Sequence, residues 1–172
     1  MTVRPLSPAT EADLAAMREQ LGRPMRGVIG IAARCICGNP VVVATEPRLP
    51  DGTPFPPFYY LTHPGATAAM SSLEATQVMR TLSDRLAEDD ELRADYERAH
   101  ELYLADRAEY GDVPEIDGIS AGGMPSRVKC LHALAAHALA VGEGINPIGD
   151  LALAESEWSP RRCTCTHPGD AA

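Results

Sequence analysis

At 172 residues the chain has the length of one ordinary domain, and its formal charge of −9 at neutral pH argues against nucleic acid or an anionic membrane surface as a partner. Hydrophobic residues make up 45% but aromatics only 5%, so the core is expected to be built from Leu, Val, Ile, Ala and Met. No run of about 18 apolar residues exists to span a bilayer, and the N-terminal MTVRPLSPATEAD lacks the apolar stretch of a secretion signal, which predicts a cytoplasmic protein with no membrane partner.

In chain order, Thr10 is the expected N-cap of a first helix, with Asp13 as its capping-box partner. Leu14, Met17 and Leu21 form one narrow apolar stripe, and Gly22 and Pro24 stop the helix. GVIGIAARC (27–35) and VVVATE (41–46) are β-branched and apolar around the turn-forming CGNP, the pattern of a β-hairpin. PRLPDGTPFPP (47–57) is too rich in proline for regular structure, and FYYLT (58–62) reads as a third strand stopped by Pro64.

Residues 66–110 carry helical periodicity through Met70, Leu73, Val78, Met79, Leu82 and Leu86, then Leu92, Tyr96, Ala99, Tyr103 and Leu104. Asp89-Asp90 marks the break between the two arms of a helical hairpin. After a glycine-containing loop, Ser126 to about Val141 is apolar all round beyond its first turn, which predicts a central buried helix. Gly142 and Gly144 end it, and Asn146-Pro147 starts a short last helix. The expected architecture is α+β: a small three-stranded antiparallel sheet covered by four to five helices. It forms one domain over 1–158, followed by a flexible tail, 159–172, that holds Cys163, Cys165, Arg161 and Arg162.

The stretch richest in reactive chemistry is SAGGMPSRVKCLHALAAH (120–137). Five cysteines, an odd number in a compartment expected to be reducing, point to metal ligation or free thiols rather than a disulfide framework. In a short antiparallel meander the ends of strands one and three share a sheet edge, which brings Cys35, Cys37 and His63 together. Cys130 and His137 are separated by about 10.5 Å of helix, too far for one ion, and Cys130 and His132 point to different sides of a regular helix. The preferred zinc ligands are therefore Cys35, Cys37, His63 and Cys130, with His132 replacing Cys37 if that thiol is unused. The competing reading makes the cysteines small buried hydrophobes and His63 a turn cap.

Three weaker sites compete with it. Backbone N–H groups at Gly122, Gly123 and the helix start, with Arg127, Lys129 and Arg48, suit a phosphate or carboxylate, although no GK[ST] follows the glycines. Cys130 with His132 or His63 as base has the groups for nucleophilic catalysis, without a cysteine-hydrolase signature around it. Cys163, Cys165 and His167 offer three ligands on the tail. Asp51 and Asp150 have the groups for acid–base work or for a cation, against the plainer reading of turn and helix caps.

The segments RCICGNPVVVAT (34–45), PRLPDGTPFPPFYYLTHP (47–64), SAGGMPSRVKCLHALAAHALA (120–140) and INPIGD (145–150) resemble the DUF501 family, found mainly in actinobacteria. The likeness covers nearly the whole chain apart from its two ends and implies no activity, because the family is uncharacterised. Family genes commonly lie beside those of a septum-formation protein and an exopolyphosphatase, which implies an association with phosphate metabolism or division. Members often lack a counterpart of Cys37, and the tail with Cys163 and Cys165 does not belong to the family pattern. Two functions follow from the residues: a zinc-binding domain, or a non-enzymatic regulator that binds a phosphate-containing ligand or a protein partner through GGMPSRVK.

Overall fold

A computed structural model describes residues 5–167. Helix α1 (Glu11–Leu21) begins with the expected reciprocal cap: the Thr10 hydroxyl accepts from the Asp13 amide at 3.1 Å, and the Asp13 carboxylate accepts from the Thr10 amide at 2.9 Å. The same carboxylate takes two bonds from the Arg34 guanidinium, at 2.6 and 3.0 Å, so the cap also ties α1 to the sheet.

The sheet is a three-stranded antiparallel meander in the order β1 (Val28–Arg34), β2 (Pro40–Thr45), β3 (Tyr59–Leu61). The central strand β2 is buried along its length, which is why it has no alternating polar residues. Val43 pairs across both neighbours, with Ile31 and Tyr60, and joins Ile31 and Met17 in a small cluster under α1. Val41, Val42 and Ala44 belong to the main core on the helical side.

Three helices follow: α2 (Pro64–Glu74), α3 (Val78–Glu88) and α4 (Asp90–Ala108). The expected unbroken arm before Asp89 is thus interrupted at residues 75–77. Thr76 explains the break: its hydroxyl donates to the Leu73 carbonyl at 2.7 Å and accepts from the Val78 amide at 3.2 Å, offering the backbone a turn in place of helix. Asp89 caps α4 through the Leu92 amide, at 2.9 Å, and Asp95 pairs with Arg98 on its outer face.

The central helix also needs correcting. α5 runs from Leu131 to Val141, starting five residues later than the expected Ser126. The amides of Lys129 and Cys130 both turn back to the Gly122 carbonyl, at 2.8 and 3.3 Å, so residues 126–130 close on the glycine turn instead of winding into helix. Gly122 and Gly123 hold positive φ angles of 67° and 97°, and a Cβ on Gly123 would meet the Arg127 carbonyl.

From Leu131 on the helix is as buried as its composition requires, with Leu131, Leu134, Ala135, Ala136 and His137 fully enclosed. It packs on β3, α2 and α6 (Pro147–Ser156). The α5–α6 contact is close enough that a Cβ on Gly149 would run into the Leu134 carbonyl. The described residues contain six α-helices, against four to five expected, because α2 and α3 are separate. No helix among them is long and apolar enough to cross a membrane.

Candidate metal centre

The turn from β1 into β2 places the first two sulfurs. The Cys35 amide donates to the Asn39 carbonyl at 2.9 Å and the Gly38 amide donates to the Cys35 carbonyl at 2.8 Å, so the loop folds tightly and projects Cys35 and Cys37 to one side. Cys35 is 4% exposed, whereas Cys37 lies at the surface.

The C-terminal segment delivers the other two. Residues 159–167 lie against the body: the Ile36 amide donates to the Pro160 carbonyl at 2.8 Å, and Cys165 packs against the main core. Residues 168–172, the rest of the expected tail, lie outside the described residues. The sulfurs of Cys35, Cys37, Cys163 and Cys165 all fall within 4.8 Å of one another, with Cys37 and Cys165 3.5 Å apart. All are free thiols. A tetrahedral ion with bonds of about 2.3 Å to sulfur spaces its ligands about 3.8 Å apart, so this set needs only a small contraction to hold one metal ion.

The thiols differ in acidity in the manner of a crowded cluster. Burial pushes the Cys35 and Cys165 thiols up. At Cys37 burial works in the same sense, but the Asn39 amide and the neighbouring sulfurs bring the thiol below its ordinary value. Cys163 is drawn down by His167, whose Nε2 lies 3.3 Å from its sulfur. Four adjacent thiolates would repel strongly, and a dication is the species that allows all four to ionise.

His63 sits beside this group in a different role from that of a ligand. Its Nδ1 accepts from the Gly65 and Ala66 amides, at 3.0 and 3.4 Å, capping α2. That bonding leaves the proton on Nε2, which lies 3.1 Å from the Cys165 sulfur and donates to it. Burial lowers the His63 pKa, in keeping with a neutral donor. Its ring packs on Trp158, at 5.2 Å between centroids.

Cys130 and His132 belong to a second group, with Glu74 in place of the sheet-edge sulfurs. Cys130 is the extended N-cap of α5 and not a helical residue, so it and His132 can face the same way despite being two apart. The Glu74 carboxylate, at the end of α2, accepts from the Leu131 amide at 2.7 Å and lies 3.1 Å from His132 Nδ1. His132 Nε2 lies 3.2 Å from the Ser71 hydroxyl. The Cys130 thiol and the Glu74 carboxylate outweigh partial burial and hold the imidazole pKa up to about 9.

Of the residues singled out for an anion, Gly122, Gly123, Arg127 and Lys129 share one turn. Arg48 is taken up by Glu115 at 2.6 Å and by the Gly52 carbonyl at 2.8 Å. Arg127 and Lys129 are exposed and precede the first turn of α5, while Gly122 and Gly123 present carbonyls to the Lys129, Cys130 and Arg127 amides. Strand topology alone does not join the tail cysteines to the sheet-edge pair. A signal for it exists in the sequence: Cys35/Cys37 and Cys163/Cys165 share the same C-x-C spacing. Glu74 carries no signal beyond its place near the end of a helix.

A sequence model of the family described as protein of unknown function (DUF501) matches residues 31–154. No curated protein and no solved structure matches the chain. The matched stretch contains Cys35, Cys37, His63, Glu74, Cys130 and His132 and stops short of Cys163, so the four-sulfur group joins family sequence to a segment beyond it. Covering well over half of the chain, the match places the protein in the DUF501 family.

Proposed function

We propose that this protein is a zinc protein whose metal is held by Cys35, Cys37, Cys163 and Cys165. The observation that carries the reading is the convergence of four sulfurs from two distant segments, all within 4.8 Å of one another. Four thiolates fill a tetrahedral shell and leave no position for substrate, so the centre is structural. Thiolate ligands select a soft or borderline ion over calcium or magnesium. Its work is to clamp residues 159–167 onto the sheet edge. The His63 Nε2–H supports it by donating to a ligating sulfur, the kind of outer contact that holds a metal ligand in place.

Cobalt(II) substitution tests the reading. The cobalt-loaded chain is expected to show the intense absorption of a tetrahedral thiolate site, and Cys163→Ser/Cys165→Ser is expected to lose most of it. A spectrum unchanged by that double substitution would rule out the tail sulfurs as ligands.

A further inference from the structure

We infer that Glu74, Cys130 and His132 form a second, independent metal site that takes a divalent ion of the zinc type and keeps one coordination position open. The clamp described above has no share in these ligands, so neither site's failure entails the other's.

Three observations converge on the site. First, one ligand atom from each residue lies within 4.8 Å of the others, and the three residues come from two elements, the end of α2 and the start of α5. A carboxylate, a thiol and an imidazole make a mixed donor set suited to zinc, cobalt or a similar borderline ion rather than calcium. Second, the backbone departs from the helix where the site needs it to. In a regular helix Cys130 and His132 diverge; here Cys130 is extended, at φ −148° and ψ 107°, and held by the bond of its amide to Gly122. Third, the outer contacts are in place. With Nδ1 toward the ion, His132 Nε2–H donates to the Ser71 hydroxyl, 3.2 Å away, and the Leu131 amide fixes the Glu74 carboxylate at 2.7 Å. Metal-bound histidines and carboxylates are held by such partners.

The site differs from the four-sulfur centre in a way that bears on function. Three protein ligands leave a fourth position of a tetrahedral ion for water, the arrangement of metal sites that activate a nucleophile or polarise a carbonyl or phosphoryl oxygen. The side chains of His132 and Glu74 are 26% and 25% exposed, so that position is open to solvent.

Counting zinc by native mass spectrometry on the full chain tests the inference. The wild-type chain loaded with zinc is expected to carry two ions, and Glu74→Gln and Cys130→Ser are each expected to carry one. Glu74→Gln keeps an oxygen to accept from the Leu131 amide, so it preserves the helix cap while removing the ligand charge. Cys163→Ser/Cys165→Ser is also expected to keep one ion, and adding Cys130→Ser to it should remove the last. If the four-sulfur reading alone fails, the wild type carries one ion that Glu74→Gln loses and the tail substitutions spare. A zinc content that neither Glu74→Gln nor Cys130→Ser lowers would overturn the second site.

Discussion

At the scale of single residues, the structure concentrates its unusual chemistry in a few buried groups. Asp13 is one: the Arg34 guanidinium beside it holds its carboxyl down to about 2 against the cost of burial. Its unfolded value is near 3.9, so the native state binds this proton less readily than the unfolded chain does. The stabilisation is therefore complete above about pH 4 and is lost as pH falls toward 2. Asp13→Asn is expected to lower stability by about 2 kcal/mol at pH 7 in urea unfolding and to flatten the acid limb below pH 4. His137 acts in a higher window. It is fully buried against Tyr59 and Tyr103, its Nδ1 accepts from the Asn146 side-chain Nδ2 at 3.1 Å, and burial takes its pKa down to about 3. The unfolded chain accepts this proton near pH 6.5, so stability is expected to fall as pH drops from 6.5 toward 4. His63 and His100, also lowered by burial, add to the same slope. Urea midpoints of His137→Leu measured across that range should vary less with pH than those of the wild type, and an equal slope would contradict the assignment.

At the scale of elements, close approach depends on glycine at two places. A Cβ on Gly149 would collide with the Leu134 carbonyl of α5, so Gly149→Ala must push α5 and α6 apart. A loss of roughly 3 kcal/mol is expected in chemical denaturation, the range of serious overpacking. Gly65, at the start of α2, admits the C-terminal segment: a Cβ there would lie 2.7 Å from the Thr164 hydroxyl and 3.0 Å from the Trp158 indole nitrogen. Gly65→Ala is expected to weaken zinc binding at the four-sulfur centre by roughly tenfold, the scale of lost outer-shell support. The zinc-free body should lose less, since only the Trp158 and His63 contacts crowd the new methyl there. Much at this scale is legible in the sequence. Thr10, Asp89 and Asn146 announce their helices because capping is a local hydrogen-bond requirement. The first two strands follow from runs of β-branched residues and the third from an aromatic run, each between turn formers. What local pattern does not give is the start of α5, because Ser126–Cys130 looks like helix until the Gly122 carbonyl, made available by a tight turn, captures two of its amides. A hydroxyl at Thr76 splits α2 from α3 in the same local way, and the apolar stripe runs through it unmarked.

For the whole molecule, the central feature is the closure of a distant segment on a sheet edge. A three-stranded meander puts Cys35, Cys37 and His63 on one rim. Strand order cannot supply the partner sulfurs, because Cys37 and Cys165 stand 128 positions apart and only the matched C-x-C spacing hints at their proximity. Nor can it separate Cys130 from that rim, since the separation depends on α2, which starts at His63 on the rim and ends at Glu74 beside Cys130. The body has its own core, so removing metal should free the tail without unfolding the domain. Arg161 and Arg162 are exposed in that tail. Trypsin is expected to cut there several-fold faster after chelation than in excess zinc, leaving a stable fragment that ends near residue 161. The central claim is tested most directly by elemental analysis of zinc in the purified full-length chain beside Cys163→Ser/Cys165→Ser. The double variant is expected to contain one zinc per chain fewer than the wild type, and equal zinc in the two proteins would contradict the four-cysteine centre.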